Sequence, residues 1–171
     1  MEFFDVVKKR HSVRAYSDKP VEKDKIQKIL EAVNQAPSSG NLQAYEIFVI
    51  KDEGKKKALA QATFSQNFVA EAPIVLVFCA NPERSKNRYG KRGGGLYNIQ
   101  DATIAASYSQ LAATALGLSS VWVGAFDDSE VLKVLGSPKD LLPVAIVPMG
   151  YSGEEPEPRS RKSLKDLVHE I

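Results

Sequence analysis

Cysteine is nearly absent from this chain: among 171 residues only Cys79 carries a thiol. That excludes an intramolecular disulfide and any cysteine-rich metal site, and it fits a reducing compartment, so a cytoplasmic location is expected. Histidine is as scarce, with His11 and His169 alone, which leaves no histidine-rich centre and no expected metal. No P-loop sequence occurs, no Gly-x-Gly-x-x-Gly follows a strand, and Gly93-Gly94-Gly95 lacks the third glycine at the right spacing. A Gly-x-Ser-x-Gly elbow is missing too, so a hydrolytic triad has no support. Long apolar runs are also lacking. Met1–Asp5 does not open a secretory signal. The stretch Tyr97–Leu118 has Asp101 as its only charge but carries Gln100, Ser107, Ser109 and Gln110, so no membrane span is expected. A net charge of +2 with both signs interleaved gives no footprint for nucleic acid.

The length and 43% hydrophobic content suit one globular domain, residues 1–171, with an arm at about 152–171. Phe3, Val6 and Val7 mark a first helix ending near Lys9, and a polar extended segment, Arg10–Ser17, follows. Ile26, Ile29, Leu30 and Val33 mark a helix over Glu22–Gln35, which Pro37 ends because it disfavours helical geometry at Ala36. Tyr45–Ile50 reads as a strand, Gly54–Ala62 as a helix, and the apolar run Ile74–Cys79 as a strand covered on both faces. Asn81–Gly95 reads as a long polar loop. Leu96–Leu116 reads as the longest helix, apolar around most of its circumference and capped by Gly117. A strand over Ser119–Ala125, a helix over Glu130–Leu135 and a strand over Val144–Met149 complete the order. Pro148 predicts that pairing ends, or lies at an edge, there. The polar, proline-rich Glu154–Pro158 is an extended arm, and Ser163 with Asp166 caps a last short helix. This mixed order favours an α+β fold over a doubly wound parallel sheet.

Few acids, bases or nucleophiles stand out, which favours chemistry carried by a cofactor. Four clusters are candidates. In the extended segment Arg10-His11-Ser12-Val13-Arg14, positions 10, 12 and 14 share a side; two guanidinium forks and a hydroxyl would suit a phosphate, or the stretch is simply solvated. Pro37-Ser38-Ser39-Gly40-Asn41-Leu42-Gln43 offers small side chains, free amides and two carboxamides that could read a planar heterocycle, or it is a plain connection. Trp122-Val123-Gly124-Ala125-Phe126 would let a flat ligand approach the backbone, or it is a core strand with a bulge. Arg159-Ser160-Arg161-Lys162 beyond the arm either completes an anion site or solubilises a tail. Arg84, Lys86, Arg88, Lys91 and Arg92, within nine residues, form a local basic excess.

In this order and spacing the clusters resemble the nitroreductase family. The resemblance runs from Phe3 to about Val168 and includes Gln100-Asp101-Ala102 with the apolar helix after it, and Val147-Pro148-Met149-Gly150-Tyr151 before the arm. It implies a mostly antiparallel central sheet flanked by helices, and a homodimer holding FMN at its interface. Arg10, Ser12 and Arg161 would hold the flavin phosphate, with His11 beside them. Arg14 would reach the ribityl chain or pyrimidine edge. Pro37, Ser38 and Ser39 would come from the partner subunit and line the ring. Asn41 and Gln43 would sit near the ring or substrate. Trp122, Gly124 and Ala125 would flank the reactive edge, although longer relatives carry an acid beside that glycine. No protein side chain is assigned as catalytic. The implied activity moves electrons from NAD(P)H to a nitroaromatic or quinone-like acceptor in ping-pong order. Alternatives are a dehalogenase, a flavin-cleaving or a maturation enzyme, or a non-catalytic flavin-binding redox sensor. The basic 81–95 loop would be a lid, or an exposed loop without a ligand.

Overall fold

The computed structural model describes residues 1–157 and 159–171; Pro158, within the expected arm, lies outside the described residues. Its framework is a four-stranded antiparallel sheet in the order β1-β2-β4-β3. The strands are β1 (Tyr45–Ile50), β2 (Ile74–Ala80), β3 (Ser119–Ser120) and β4 (Leu142–Gly150). The helices are α1 (Phe3–Lys9), α2 (Lys23–Asn34), α3 (Glu53–Ala62), α4 (Phe68–Glu71), α5 (Pro82–Arg92), α6 (Asn98–Ala115) and α7 (Asp128–Val134). The fold is thus α+β with a central antiparallel sheet, as the sequence led one to expect.

β2 is the strand around which the core divides. Every one of its residues is buried. Because side chains alternate along a strand, Ile74, Leu76, Phe78 and Ala80 join a core formed with α2 and α6. Val75, Val77 and Cys79 join a second core with Leu59, Val69 and Val131. Both faces being covered is why the run needs no polar alternation. Burial pushes the Cys79 thiol up to about 12, with smaller contributions from Glu46 and Asp128. The thiolate is the reactive form, so native protein should resist iodoacetamide at pH 8 and become alkylated only in denaturant. Mass spectrometry reads the result, and rapid labelling of the folded protein would contradict the burial.

Two sequence expectations need correction. First, β3 is two residues long rather than seven. Pro148 lies in β4, paired with Val75 on the β2 side. Its carbonyl accepts from Val121 N on the β3 side (3.4 Å). In an antiparallel ladder a residue's N–H and C=O point the same way, so the missing N–H faces β3. The ladder therefore lapses after Ser120 and resumes only as an isolated bridge between Val123 and Ile146. Pro148 interrupts one side of an interior strand rather than marking an edge.

Second, the segment expected as a polar loop over 81–95 is α5, followed by a π-helical turn, Gly93–Tyr97, that runs into α6. Asn81 caps α5 by accepting from Arg84 N (3.1 Å). A β-carbon at Gly93 would collide with the Ser85 carbonyl, so the glycine permits the close approach of the turn to α5. Only Ser85 of α5 is buried, hence no apolar periodicity announced the helix.

α6 is the long helix of the fold. Ala102, Ala105, Ala106 and Ala113 are buried in the core, while Ser107, Tyr108 and Ala115 reach solvent. Its own protomer therefore covers most of its apolar surface. The exposed large apolar side chains instead include Phe3 (63%) and Phe4 (75%) of α1, and Leu164 (76%) and Leu167 of the last 3-10 turn. That turn, Leu164–Asp166, replaces the expected short helix, with Ser163 Oγ bonded to Asp166 Oδ2 (2.9 Å).

Candidate functional site

The polar segment after α1 is a strap between two neighbours. Val13 N donates to the Ser120 carbonyl (3.2 Å), and Ser12 bridges Ser120. On the other side Ser17 N donates to the Tyr151 carbonyl (3.0 Å), and Gly153 N to the Ala15 carbonyl (2.9 Å). Tyr16 fastens it, its hydroxyl donating to the carbonyls of Val13 (2.9 Å) and Pro148 (3.0 Å). Burial, and then the nearby Glu154 carboxylate, push the pKa of that hydroxyl far above its ordinary value, so it stays protonated and remains a donor. Val13 is buried while Ser12 and Arg14 are exposed, as an extended chain alternates.

The strap and the C-terminal arm enclose a cavity of about 560 Å³. Arg10, His11, Ser12, Arg14, Arg159 and Arg161 line it, with Glu154, Glu155 and Glu157 of the arm. Arg14 N donates to the Glu154 carboxylate (2.6 Å), and Arg159 pairs with Glu157 (3.6 Å). Burial, and then the positive charge of Arg161, hold the pKa of the Arg10 guanidinium below its ordinary value. Two guanidinium groups from opposite ends of the chain thus meet with no carboxylate pairing either among the described residues. His11 contributes its ring to the wall and has Nδ1 bonded to the Lys9 carbonyl (2.9 Å).

A second cavity, of about 440 Å³, is lined by Pro37, Ser38 and Ser39 together with Ile99, Gln100, Asp101, Thr103 and Ile104 of α6. Asp101, 1% exposed, shapes it. Its carboxylate accepts from Ser39 N (2.8 Å) and Ala44 N (3.4 Å), binding both ends of the 37–44 loop to α6. Gly40, Asn41 and Gln43 adopt positive φ, and a side chain at Gly40 would collide with the Tyr89 hydroxyl. Asn41 and Gln43 do not line this cavity. Gln43 is turned onto α2, its amide donating to Asn34 Oδ1 (3.0 Å).

Trp122, Gly124 and Ala125 line neither cavity. Gly124 and Ala125 are exposed, with the Trp122 indole against Gly124. The Ala125 carbonyl accepts from Gln66 Nε2 (3.3 Å).

The structure therefore brings Arg10, His11, Ser12, Arg14 and Arg161 together, and Pro37, Ser38 and Ser39 together, in two separate cavities. Asp101 anchors the loop near the start of α6. The strap pairs with Ser120, just beyond the other end of α6. Fourteen helical steps, about 20 Å, separate Asp101 from Ala115. Neither Asp101 nor Gln66 is assigned a site role by the sequence, yet the first carries a signal. It is the one charge in Tyr97–Leu118, and a charge in an apolar helix is affordable only when hydrogen-bonded.

The profile of the nitroreductase family matches residues 7–80 and 55–151. The chain belongs to the nitroreductase family. It is similar to an NADH dehydrogenase of Thermus thermophilus, with 33% identity covering 94% of this chain and 91% of the relative. It is 29% identical to an FMN reductase [NAD(P)H] of Bacillus subtilis, over 93% of this chain and 69% of that one. Its backbone superposes on the NADPH:FMN oxidoreductase of Vibrio harveyi, solved with NAD+, with a TM-score of 0.90 and 27% identity. That match covers 98% of this chain and 76% of the other. Among the described residues of this nitroreductase-family protein, no helix is long and apolar enough to cross a membrane.

Proposed function

We propose that residues 1–171 act as one unit, a homodimeric FMN-dependent oxidoreductase that passes electrons from NAD(P)H to an electron-poor acceptor such as a nitroaromatic or a quinone. The observation that carries this reading is the meeting of Arg10 and Arg161. Two guanidinium groups without a carboxylate partner form a receptor for a dianionic phosphomonoester, which would relieve their mutual repulsion. Ser12 adds a hydroxyl to the same cavity. This donor set fits the phosphate of FMN.

The separation of the two half-sites supports the dimer. One protomer holds the phosphate cavity and the Ser38–Ser39 wall apart, so a ring bound at the first would meet the second only on a partner subunit. The exposed Phe3, Phe4, Leu164 and Leu167 give a partner an apolar surface to cover. FMN, when bound, would supply the two-electron redox chemistry between nicotinamide and acceptor. The protein's own residues bind and orient. Pro37, Ser38 and Ser39 with Ile99 and Ile104 of α6 form a mostly apolar wall that would exclude water and hold a flat ring. One wall accommodates donor and acceptor only in turn, which favours ping-pong order.

Arg14, exposed and with no acidic ion-pair partner among the described residues, would stabilise negative charge on reduced flavin. Arg14→Ala should lower the potential of bound flavin in a redox titration; an unchanged potential with flavin retained would remove this role. The whole reading is tested by the absorption spectrum and sedimentation of purified protein. Flavin bands at one per protomer on a dimer are expected. A colourless protein that does not take up FMN, or a monomer that binds it fully, would overturn the cofactor or the dimer respectively.

A further inference from the structure

α5 has no part in the site described so far, yet it carries a concentrated positive charge. Five cations against Glu83 alone give it a net charge of +4, whereas the whole chain carries +2. The five divide into two sets. Arg84 and Lys86 are committed within the fold. The Arg84 guanidinium donates to the carbonyls of Gln43 (2.6 Å) and Tyr45 (3.3 Å) and pairs with Glu46. Lys86 pairs with Glu83 (3.2 Å). Arg88, Lys91 and Arg92 have no carboxylate within ion-pair distance among the described residues.

Two of these three uncompensated cations, Arg88 and Arg92, come with aromatic rings, and Lys91 precedes Arg92 in the chain. Arg88 lies over Tyr89 (5.4 Å) and Arg92 over Tyr97 (5.5 Å), where its Nε also donates to the Tyr97 hydroxyl (3.1 Å). Tyr89 and Tyr97 meet edge to face at 5.3 Å. Gly90 adopts φ 58° and ψ −143°, open to glycine alone, and breaks the helix before Lys91 and Arg92. Arg88 also donates to the Gly40 carbonyl (3.2 Å). That bond fixes the cluster to the loop whose adjacent residues, Ser38 and Ser39, line the second cavity. Cations and rings thus stand together at the edge of the proposed ring wall. Guanidinium forks recognise a phosphomonoester, and tyrosine faces accept a stacked base.

We infer that Arg88, Lys91 and Arg92 receive the adenosine 2′-phosphate of NADPH, making this chain selective for NADPH over NADH. The inference rests on the flavin reading above, which places the nicotinamide end at the Ser38–Ser39 wall. The two donors differ by one phosphomonoester, and these are the unpaired cations beside the wall. The anchoring bonds of Arg84 and Arg88 make α5 a fixed docking surface rather than a closing lid.

The test uses the holoenzyme with a quinone acceptor. The wild type should show kcat/KM at least tenfold higher with NADPH than with NADH. In Lys91→Ala/Arg92→Ala that ratio should fall at least tenfold, through KM for NADPH. Adenosine 2′,5′-bisphosphate should compete with NADPH at least tenfold better than 5′-ADP, and less well as salt rises. A wild type that favours NADH, or a variant whose two donors weaken equally, overturns the inference while bound flavin leaves the earlier reading intact. So does a variant impaired only toward free FMN and not riboflavin as acceptor, which assigns the cations to the acceptor's phosphate. If the protein takes up no flavin, the earlier reading fails. Calorimetric titration with adenosine 2′,5′-bisphosphate against 5′-ADP then decides on the cluster alone, equal affinities overturning it.

Discussion

Replacing Arg10 and Arg161 together with alanine is expected to yield a folded, colourless protein. Each guanidinium would make charge-assisted hydrogen bonds to the flavin phosphate, worth about 1.5–3 kcal/mol apiece. Losing both should weaken FMN by roughly 10² to 10⁴-fold, read by fluorescence titration of the apoprotein. The same change should leave the melting temperature of the apoprotein unchanged or raise it, because Arg10 and Arg161 repel one another across the cavity. This opposite movement of affinity and stability separates a ligand site from a structural cluster. Full flavin occupancy in the double variant would end the phosphate assignment. Arg159→Ala, which removes a cation already paired with Glu157, should cost less.

Asp101→Ala should be the most damaging single change on α6. It strips the acceptor from Ser39 N and from Ala44 N, both in the loop and both fixed by one buried carboxylate. A buried donor left unsatisfied costs about 1–3 kcal/mol. The bond at 2.8 Å carries more of this than the one at 3.4 Å, so a loss of about 2–4 kcal/mol is expected in urea denaturation. Against a typical stability of about 5–15 kcal/mol this is severe. Asp101→Asn, which keeps one carbonyl acceptor, should fold better and still bind flavin more weakly, because the Ser38–Ser39 wall is no longer held at both ends. A destabilisation below about 1 kcal/mol for Asp101→Ala would mean that the loop is held by something else.

The elements with apolar periodicity were legible before any coordinates. α1 ends at Lys9, and β1 spans Tyr45–Ile50 as read. α2 ends at Asn34, two residues before Ala36, the residue that Pro37 bars from helical geometry. α5 was not legible, because side-chain bonds from Arg84 and Arg88 and the close approach at Gly93 hold it rather than an apolar face. β3 was overread for a different reason. Its own residues favour a strand, and the residue that breaks its ladder, Pro148, lies in another element. Of the candidate site, the residue types of the strap and loop were visible. That Gln43 is occupied with Asn34 was not.

The amino-acid order by itself determined the elements that carry an apolar periodicity and that β2 is covered on both faces. It also placed the chain in its family, since these follow from local periodicity and from motifs at fixed spacing. Which side chains share a cavity was decided only by tertiary packing. Arg10 meets Arg161 because the strap is hydrogen-bonded between Ser120 and the Tyr151–Gly153 segment, which aims the arm back across it. The same packing keeps Ser38 and Ser39 in a different cavity. No local rule encodes such distances, because they are set by contacts between residues remote in the chain.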